Sequence, residues 1–189
     1  MLSLKAFAAF MLAVVCCIDV FAGLLDQPDK NSFRFYINAD PQMGAENSTN
    51  KQRQRLNNLL ERFVAEVNHN NQKKPVDFVV YNGDLVWKPN QDAFDNFTRI
   101  VAGQQVPTVL VHGNHDGTSG DAKFFKTQNQ LSGYSQLNYS FTYGNWRMVV
   151  IGAPEKYQNV AERRNQLQWL KSELEKYKHH NVMLLMHYH

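Results

Sequence analysis

Cysteine is nearly missing from this chain: its 189 residues hold two, Cys16 and Cys17, and both fall close to the start. There Lys5 leads into an apolar run over residues 6–15, and Val20-Phe21-Ala22 stands before Gly23, a small-residue pattern suited to signal peptidase. Residues 1–22 therefore read as a cleaved secretory signal, with an uncleaved anchor as the alternative. Cleavage leaves no thiol, which excludes a disulfide scaffold, a cysteine nucleophile and a zinc-thiolate site together. A long hydrophobic run is also lacking, since the leading one is too short for a membrane span of about 20 residues. No span is expected after cleavage. Charge of one sign is lacking as well: 20 basic against 17 acidic residues leave +3, and the only basic pairs are Lys73-Lys74 and Arg163-Arg164. Nothing there indicates nucleic acid or an acidic membrane surface as a partner. There is no internal repeat and no low-complexity block. What remains, 43% hydrophobic and 20% charged, is an ordinary globular composition at a length that suits one domain with a real core. Three Asn-x-Ser/Thr sequons, at Asn47, Asn96 and Asn138, carry little weight in so asparagine-rich a chain.

Residues 23–31 read as a linker and residues 32–189 as the domain. Residues 32–38 are aromatic and β-branched, predicting a strand that ends at Asp40-Pro41-Gln42-Met43-Gly44. Leu56, Leu59, Leu60, Phe63, Val64 and Val67 recur at helical spacing over residues 51–69. Beyond Pro75, residues 76–81 predict a buried strand tipped by Asn82-Gly83-Asp84, and residues 92–102 a helix. The apolar run over 106–111 is a third strand, and Gly113-Asn114-His115-Asp116 follows it. Residues 117–133 are mixed and polar, with Phe124 and Phe125 the evident core candidates. Residues 137–143 and 146–151 predict a hairpin of the type II′ kind around Gly144-Asn145. A loop over 152–164, a helix over 165–178 and a buried strand over 181–186 lead to His187-Tyr188-His189. Strands alternating with helices predict parallel βαβ units, hence an α/β fold.

In such a sheet the carboxyl ends of the strands share one edge, where ligands bind. The strand tips collected there are Asp40 and Gln42, Asp84, Asn114 with His115 and Asp116, and His187 with His189. Carboxylate, amide oxygen and imidazole without sulfur suit hard to borderline divalent metals: manganese, magnesium, iron(II) or zinc. One aspartate at a strand tip is an ordinary turn former. Four strands ending in such groups make a metal site the better reading. Trp87 and Tyr188 either line its pocket or are core aromatics, and His69, His112, His179 and His180 read as structural or surface residues.

The chain resembles the calcineurin-like metallophosphoesterases from about Phe33 onward. Their motifs run Asp-x-His, Gly-Asp, Gly-Asn-His-Asp/Glu, a lone His after a strand, and Gly-His-x-His. Here Asp40-Pro41-Gln42, Gly83-Asp84, Gly113-Asn114-His115-Asp116 and His187 stand in that order, with a Tyr139-Ser140-Phe141 hairpin and Gln168-Trp169-Leu170 ahead of the lone His. The resemblance implies a layered αββα-type fold and two divalent metal ions. Asp40 would hold the first metal, Asp84 would bridge both, and Asn114 and His187 would hold the second. His115 would bond the phosphoryl oxygens and protonate the leaving alkoxide, with Asp116 orienting its ring. Two metals would acidify a water that attacks phosphorus in line.

Two departures qualify this. Gln42 stands where that family usually has His, and its harder amide oxygen shifts the expectation toward Mn2+ or Mg2+ over zinc or iron. No Gly-His-x-His follows His189, so the expectation is a chain lacking its C-terminal portion, with His189 as a substitute candidate for His187. A purple acid phosphatase is disfavoured, since Leu85-Val86-Trp87 offers no tyrosine ligand after Gly-Asp. The reading is a secreted or exported phosphoester hydrolase with a small phosphorylated substrate. The alternative is a catalytically inactive secreted binding protein on the same scaffold.

Overall fold

The computed structural model describes residues 25–44, 49–118, 121–152 and 159–187. The segment read as a signal, the Asn47 sequon, Tyr188 and His189 lie outside them.

Strands β1 (Phe35–Asn38), β2 (Phe78–Asn82) and β3 (Thr108–Val111) pair in parallel in that order, with Tyr36 opposite Val79 and Val80 opposite Val109. Helix α1 (Asn50–Lys73) connects β1 to β2, and α2 (Gln91–Val101) connects β2 to β3. The first is opened by a capping box: Thr49 Oγ1 accepts from the Gln52 N–H at 3.3 Å, and Gln52 Oε1 accepts from the Thr49 N–H at 2.6 Å. It runs four residues past the expected end because nothing breaks it before Lys74, which Pro75 forces into extended backbone.

Strands β4 (Tyr139–Tyr143) and β5 (Trp146–Ile151) form the antiparallel hairpin, and β6 (Asn181–Met186) joins β5 in parallel, making a second sheet ordered β4-β5-β6. Gly144 takes φ +57° while Asn145 stays at negative φ, as a type II′ turn requires.

Alternation in β2 sets the layers. Val79 and Tyr81 face one core with Leu60 and Val64 of α1, Phe94 and Phe97 of α2, and Phe124. Phe78 and Val80 face a second core with Val109, Phe141, Tyr143, Met148 and Leu185. Beyond the second sheet, Arg147 reaches across to Glu173 of α4 (Val160–Lys176) at 3.0 Å. The order is therefore helices, sheet, sheet, helix, and each large side chain buried between layers contributes about 1.5–3 kcal/mol. The two sheets are also pinned by polar contacts. The Tyr139 hydroxyl donates to the Leu110 carbonyl at 2.9 Å and accepts from the Leu110 N–H at 3.1 Å, satisfying backbone groups on the outer edge of β3.

Four local expectations change. A helix, α3 (Ala122–Ser132), lies within the stretch read as mixed and polar. Its inward face includes Thr127, Gln128 and Ser132, so hydrophobic periodicity could not report it, although Asp121 at its N-cap and left-handed Gly133 at its C-cap bracket it. Helix α4 starts at Val160, five residues early, because Asn159 caps it by accepting from the Glu162 N–H at 2.8 Å. Strand β6 is only partly buried: Leu185 lies in the second core, while Leu184 is 46% and Met186 38% exposed. Residues 25–31, read as linker, are tied down, with the Gln27 N–H donating to Thr142 at 2.7 Å and Leu25 buried.

Two sequons serve the fold. Asn96 of α2 donates to Asn57 of α1 at 2.7 Å, and Asn138 Oδ1 accepts from the Gly152 N–H at 3.2 Å and from Gln166 at 2.9 Å. His112 is buried against the ring of Phe124, centroids 4.7 Å apart. Among the described residues no helix is long and apolar enough to cross a membrane.

Candidate metal centre

Beyond β1 and β2 the chain leaves the sheet as two loops that hydrogen-bond to each other. Backbone N–H groups of Asp40, Gln42 and Met43 donate to the carbonyls of Gly83, Asp84 and Leu85 at 3.2, 3.0 and 3.0 Å, and Trp87 N–H returns to Met43 at 3.1 Å. Sharp reversal is needed to leave a parallel sheet this way. Asp40, Gln42 and Asp84 have φ of +55°, +44° and +52°, and they are the only non-glycine residues with positive φ among the described residues. Each such backbone costs on the order of 1–3 kcal/mol, a strain that concentrates at functional sites. All three are residues the sequence nominates as ligands.

Asp40, Asp84 and His187 each place one donor atom within 4.8 Å of the other two. Asp84 is 3% exposed, and its Oδ1 lies 3.3 Å from His187 Nε2. The other nitrogen of that ring, Nδ1, donates to the Asn82 carbonyl at 2.7 Å, so Nε2 is left with its lone pair facing the carboxylates. Two glycines allow the approach: a β-carbon on Gly83 would collide with the ring of His187, and one on Gly113 with the backbone nitrogen and Oδ1 of Asp84. Two carboxylates and an imidazole within this distance fit a hard to borderline divalent cation. Asp40 is exposed, so the group is reachable from solvent, and a cavity of about 200 Å³ adjoins it, lined also by Pro41, Leu56 and Leu60. A larger groove along residues 51–62 of α1 contains none of the donors.

The remaining nominated residues surround Asp84. Gln42 Nε2 is 3.4 Å from Asp84 Oδ2, so the amide as oriented gives its N–H to the carboxylate and needs a flip to present its oxygen to a cation. Asn114 is half-buried in the turn after β3, between two residues that touch Asp84: Gly113 by close approach, His115 through its N–H at 2.9 Å to Oδ1. His115 Nε2 stands 3.9 Å from Asp84 Oδ2.

Asp116 does not orient the His115 ring, contrary to expectation. Its carboxylate is fully buried and accepts from the N–H groups of Gly113 at 2.8 Å and Val86 at 3.1 Å, closing the turn that carries Asn114 and His115. Burial pushes that carboxyl up to about 7, against those two bonds and with the charge of Asp84 adding to the rise. The partner of His115 Nδ1 is the carbonyl of Trp87, at 2.8 Å, and the indole stacks on the imidazole with centroids 4.5 Å apart at 25°. Sequence reasoning missed this contact because a main-chain acceptor leaves no mark on side-chain identity.

A protein-family model described as calcineurin-like phosphoesterase matches residues 33–189. A probable cyclic nucleotide phosphodiesterase of Rhodopseudomonas palustris is 41% identical over 66 residues, 34% of this chain and 24% of that protein. A probable glycerophosphodiester phosphodiesterase of Arcobacter nitrofigilis is 25% identical over 124 residues, 63% of this chain and 44% of that protein. The chain thus matches less than half the length of either curated relative. Among solved structures, a protein of unknown function from Aquifex aeolicus superposes with a TM-score of 0.41 at 13% identity, over 83% of this chain and 90% of that one, a distant likeness and no more.

Proposed function

The chain belongs to the calcineurin-like phosphoesterase family, and we propose that it is an exported, metal-dependent hydrolase of phosphodiesters with a centre for two divalent cations, preferably Mn2+. One observation carries the reading: Asp40, Asp84 and His187, from three separate strand ends, converge within 4.8 Å. The names of the two relatives, a cyclic nucleotide and a glycerophosphodiester phosphodiesterase, support a diester substrate. Export rests on the signal-like residues 1–22, and the preference for manganese on the amide of Gln42.

In this reading Asp40, Asp84 and His187 hold cations, with Gln42 and Asn114 supplying amide oxygens. Cations bound there supply Lewis-acid charge to the phosphoryl oxygens and acidify water. The protein's own share is positional. Asp84, fixed by the His115 N–H, presents both carboxylate oxygens to the site. The Asn82 carbonyl keeps His187 in the tautomer whose Nε2 can ligate. Asp116 holds the turn of residues 113–116 closed, which sets Asn114 and His115 at the mouth. His115, when protonated on both nitrogens, bonds a phosphoryl oxygen through Nε2–H and gives that proton to the departing alkoxide as the ester P–O bond breaks and the bond from water to phosphorus forms, the water's own proton passing to solvent.

The test is hydrolysis of bis(p-nitrophenyl) phosphate by the full chain with added Mn2+, beside Asp84→Asn, with Mn2+ binding measured calorimetrically on both. Mn2+-dependent turnover that Asp84→Asn abolishes supports the enzyme. Tight Mn2+ binding without turnover of this ester, a cyclic nucleotide or a glycerophosphodiester sinks it in favour of a binding protein.

A further inference from the structure

We propose that Trp87 is a positioning residue for His115: its carbonyl and its indole together hold the imidazole as the Nδ1–H tautomer, with Nε2 turned to the Asp84 side. The kinetic consequence rests on the phosphoester-hydrolase reading; the tautomer does not.

A carbonyl oxygen can only accept a hydrogen bond. Standing 2.8 Å from Nδ1, the Trp87 carbonyl assigns the hydrogen to that nitrogen. Nε2 of the neutral ring is then bare, and any second proton must sit there, 3.9 Å from Asp84 Oδ2 and beside the candidate ligands. An imidazole held by one hydrogen bond could still turn about its Cβ–Cγ bond. The indole lying against it at 4.5 Å, nearly parallel, removes that freedom.

Both partners are anchored to the loops that carry the ligands. Trp87 N–H donates to Met43, one residue past Gln42, at 3.1 Å, and His115 N–H donates to Asp84, three residues before Trp87, at 2.9 Å. The proton-carrying atom and the central carboxylate are thereby fixed relative to each other through a single short loop. A core-filling role for Trp87 is not what the packing gives: the side chain is half-buried and belongs to neither hydrophobic core. Asp116 does not stand behind the ring, since its carboxylate is turned to the backbone of Gly113 and Val86.

The experiment is a long-range 15N–1H correlation spectrum of the histidines in the metal-free full chain, with imidazoles neutral and His115→Gln identifying the signal. Wild type and Trp87→Phe are expected to show His115 as Nδ1–H, and Trp87→Ala a mixture of tautomers. An Nε2–H ring in wild type, or an unchanged spectrum in Trp87→Ala, overturns the proposal. In Mn2+-dependent hydrolysis of bis(p-nitrophenyl) phosphate, Trp87→Ala is expected to lower kcat about tenfold or more with KM changed less than about twofold, and Trp87→Phe to restore it. A raised KM at unchanged kcat would mean a substrate wall and overturns it too. Should wild type not turn over, the functional reading fails while the tautomers still decide this one. Should Trp87→Ala not fold, Trp87→Leu takes its place.

Discussion

The ring of His187 rests on Gly83, in the space a β-carbon would fill. Gly83 also has φ +79°, where an L side chain is strained. Gly83→Ala therefore acts twice: it costs about 1–3 kcal/mol of stability through the backbone and drives the His187 ring off Asp84. Mn2+ affinity measured by titration calorimetry is expected to fall about 10- to 100-fold. A variant that melts lower yet binds Mn2+ as tightly as wild type would show that His187 is not a ligand.

Tyr139 tests the seam between the sheets without touching the site. Its hydroxyl answers both the N–H and the carbonyl of Leu110, and Tyr139→Phe leaves those two buried groups without that partner. The expected cost is about 1–3 kcal/mol, which for a domain this size lowers Tm by roughly 2–4 °C per kcal/mol. Mn2+ affinity should stay at the wild-type value. Thermal melts and a metal titration on the same preparation check both halves.

Asp116 predicts a pH dependence of stability. Its folded pKa, about 7, lies above the ordinary carboxylate value near 4, so the folded state binds this proton more tightly than the unfolded state. The stabilisation is fully present below about pH 4 and is lost as pH rises through about 7. Asp116→Asn removes the titration. Denaturant unfolding of metal-free protein across that range should show wild type losing stability relative to the variant, by up to a few kcal/mol. Parallel profiles would mean that the Gly113 and Val86 N–H bonds offset the burial.

The parts of this protein that were legible in the sequence are those whose signal is side-chain identity at a fixed period or position. The parallel strands announced themselves because β2 and β3 are buried on both faces and so read as unbroken apolar runs. The hairpin was written in Gly144-Asn145, and the donors were visible because they stand at strand tips. Helix α3 was hidden because its buried face uses Thr127, Gln128 and Ser132, whose hydrogen bonds, Thr127 to Thr98 at 3.1 Å among them, replace apolar packing. The early start of α4 was hidden by its shallow seat, with Gln166 its one buried residue. Within the site, Asn82 and Trp87 each meet a histidine through a carbonyl, which any residue type supplies, and the stacking of the Trp87 indole on His115 shows only once the fold brings the two loops together. Asp116 was misjudged for a related reason: adjacency in Gly-Asn-His-Asp says nothing of which way a side chain turns.

Gln42 puts the identity of the metal to the test. Its amide stands 3.4 Å from Asp84 Oδ2 at φ +44°, so a side chain of similar length on this backbone reaches the central carboxylate. An amide offers a cation a hard oxygen, whereas an imidazole in the same place offers a softer nitrogen that zinc prefers. Gln42→His is therefore expected to shift the ratio of Zn2+ to Mn2+ affinity toward zinc by about tenfold, read from competition titrations on metal-free protein. The direction follows from donor softness alone and does not require turnover, so it separates the choice of metal from the question of activity. A ratio that does not move would mean that the side chain at this position stays bonded to Asp84 and off the cation, and that Gln42 gives no reason to expect manganese over zinc.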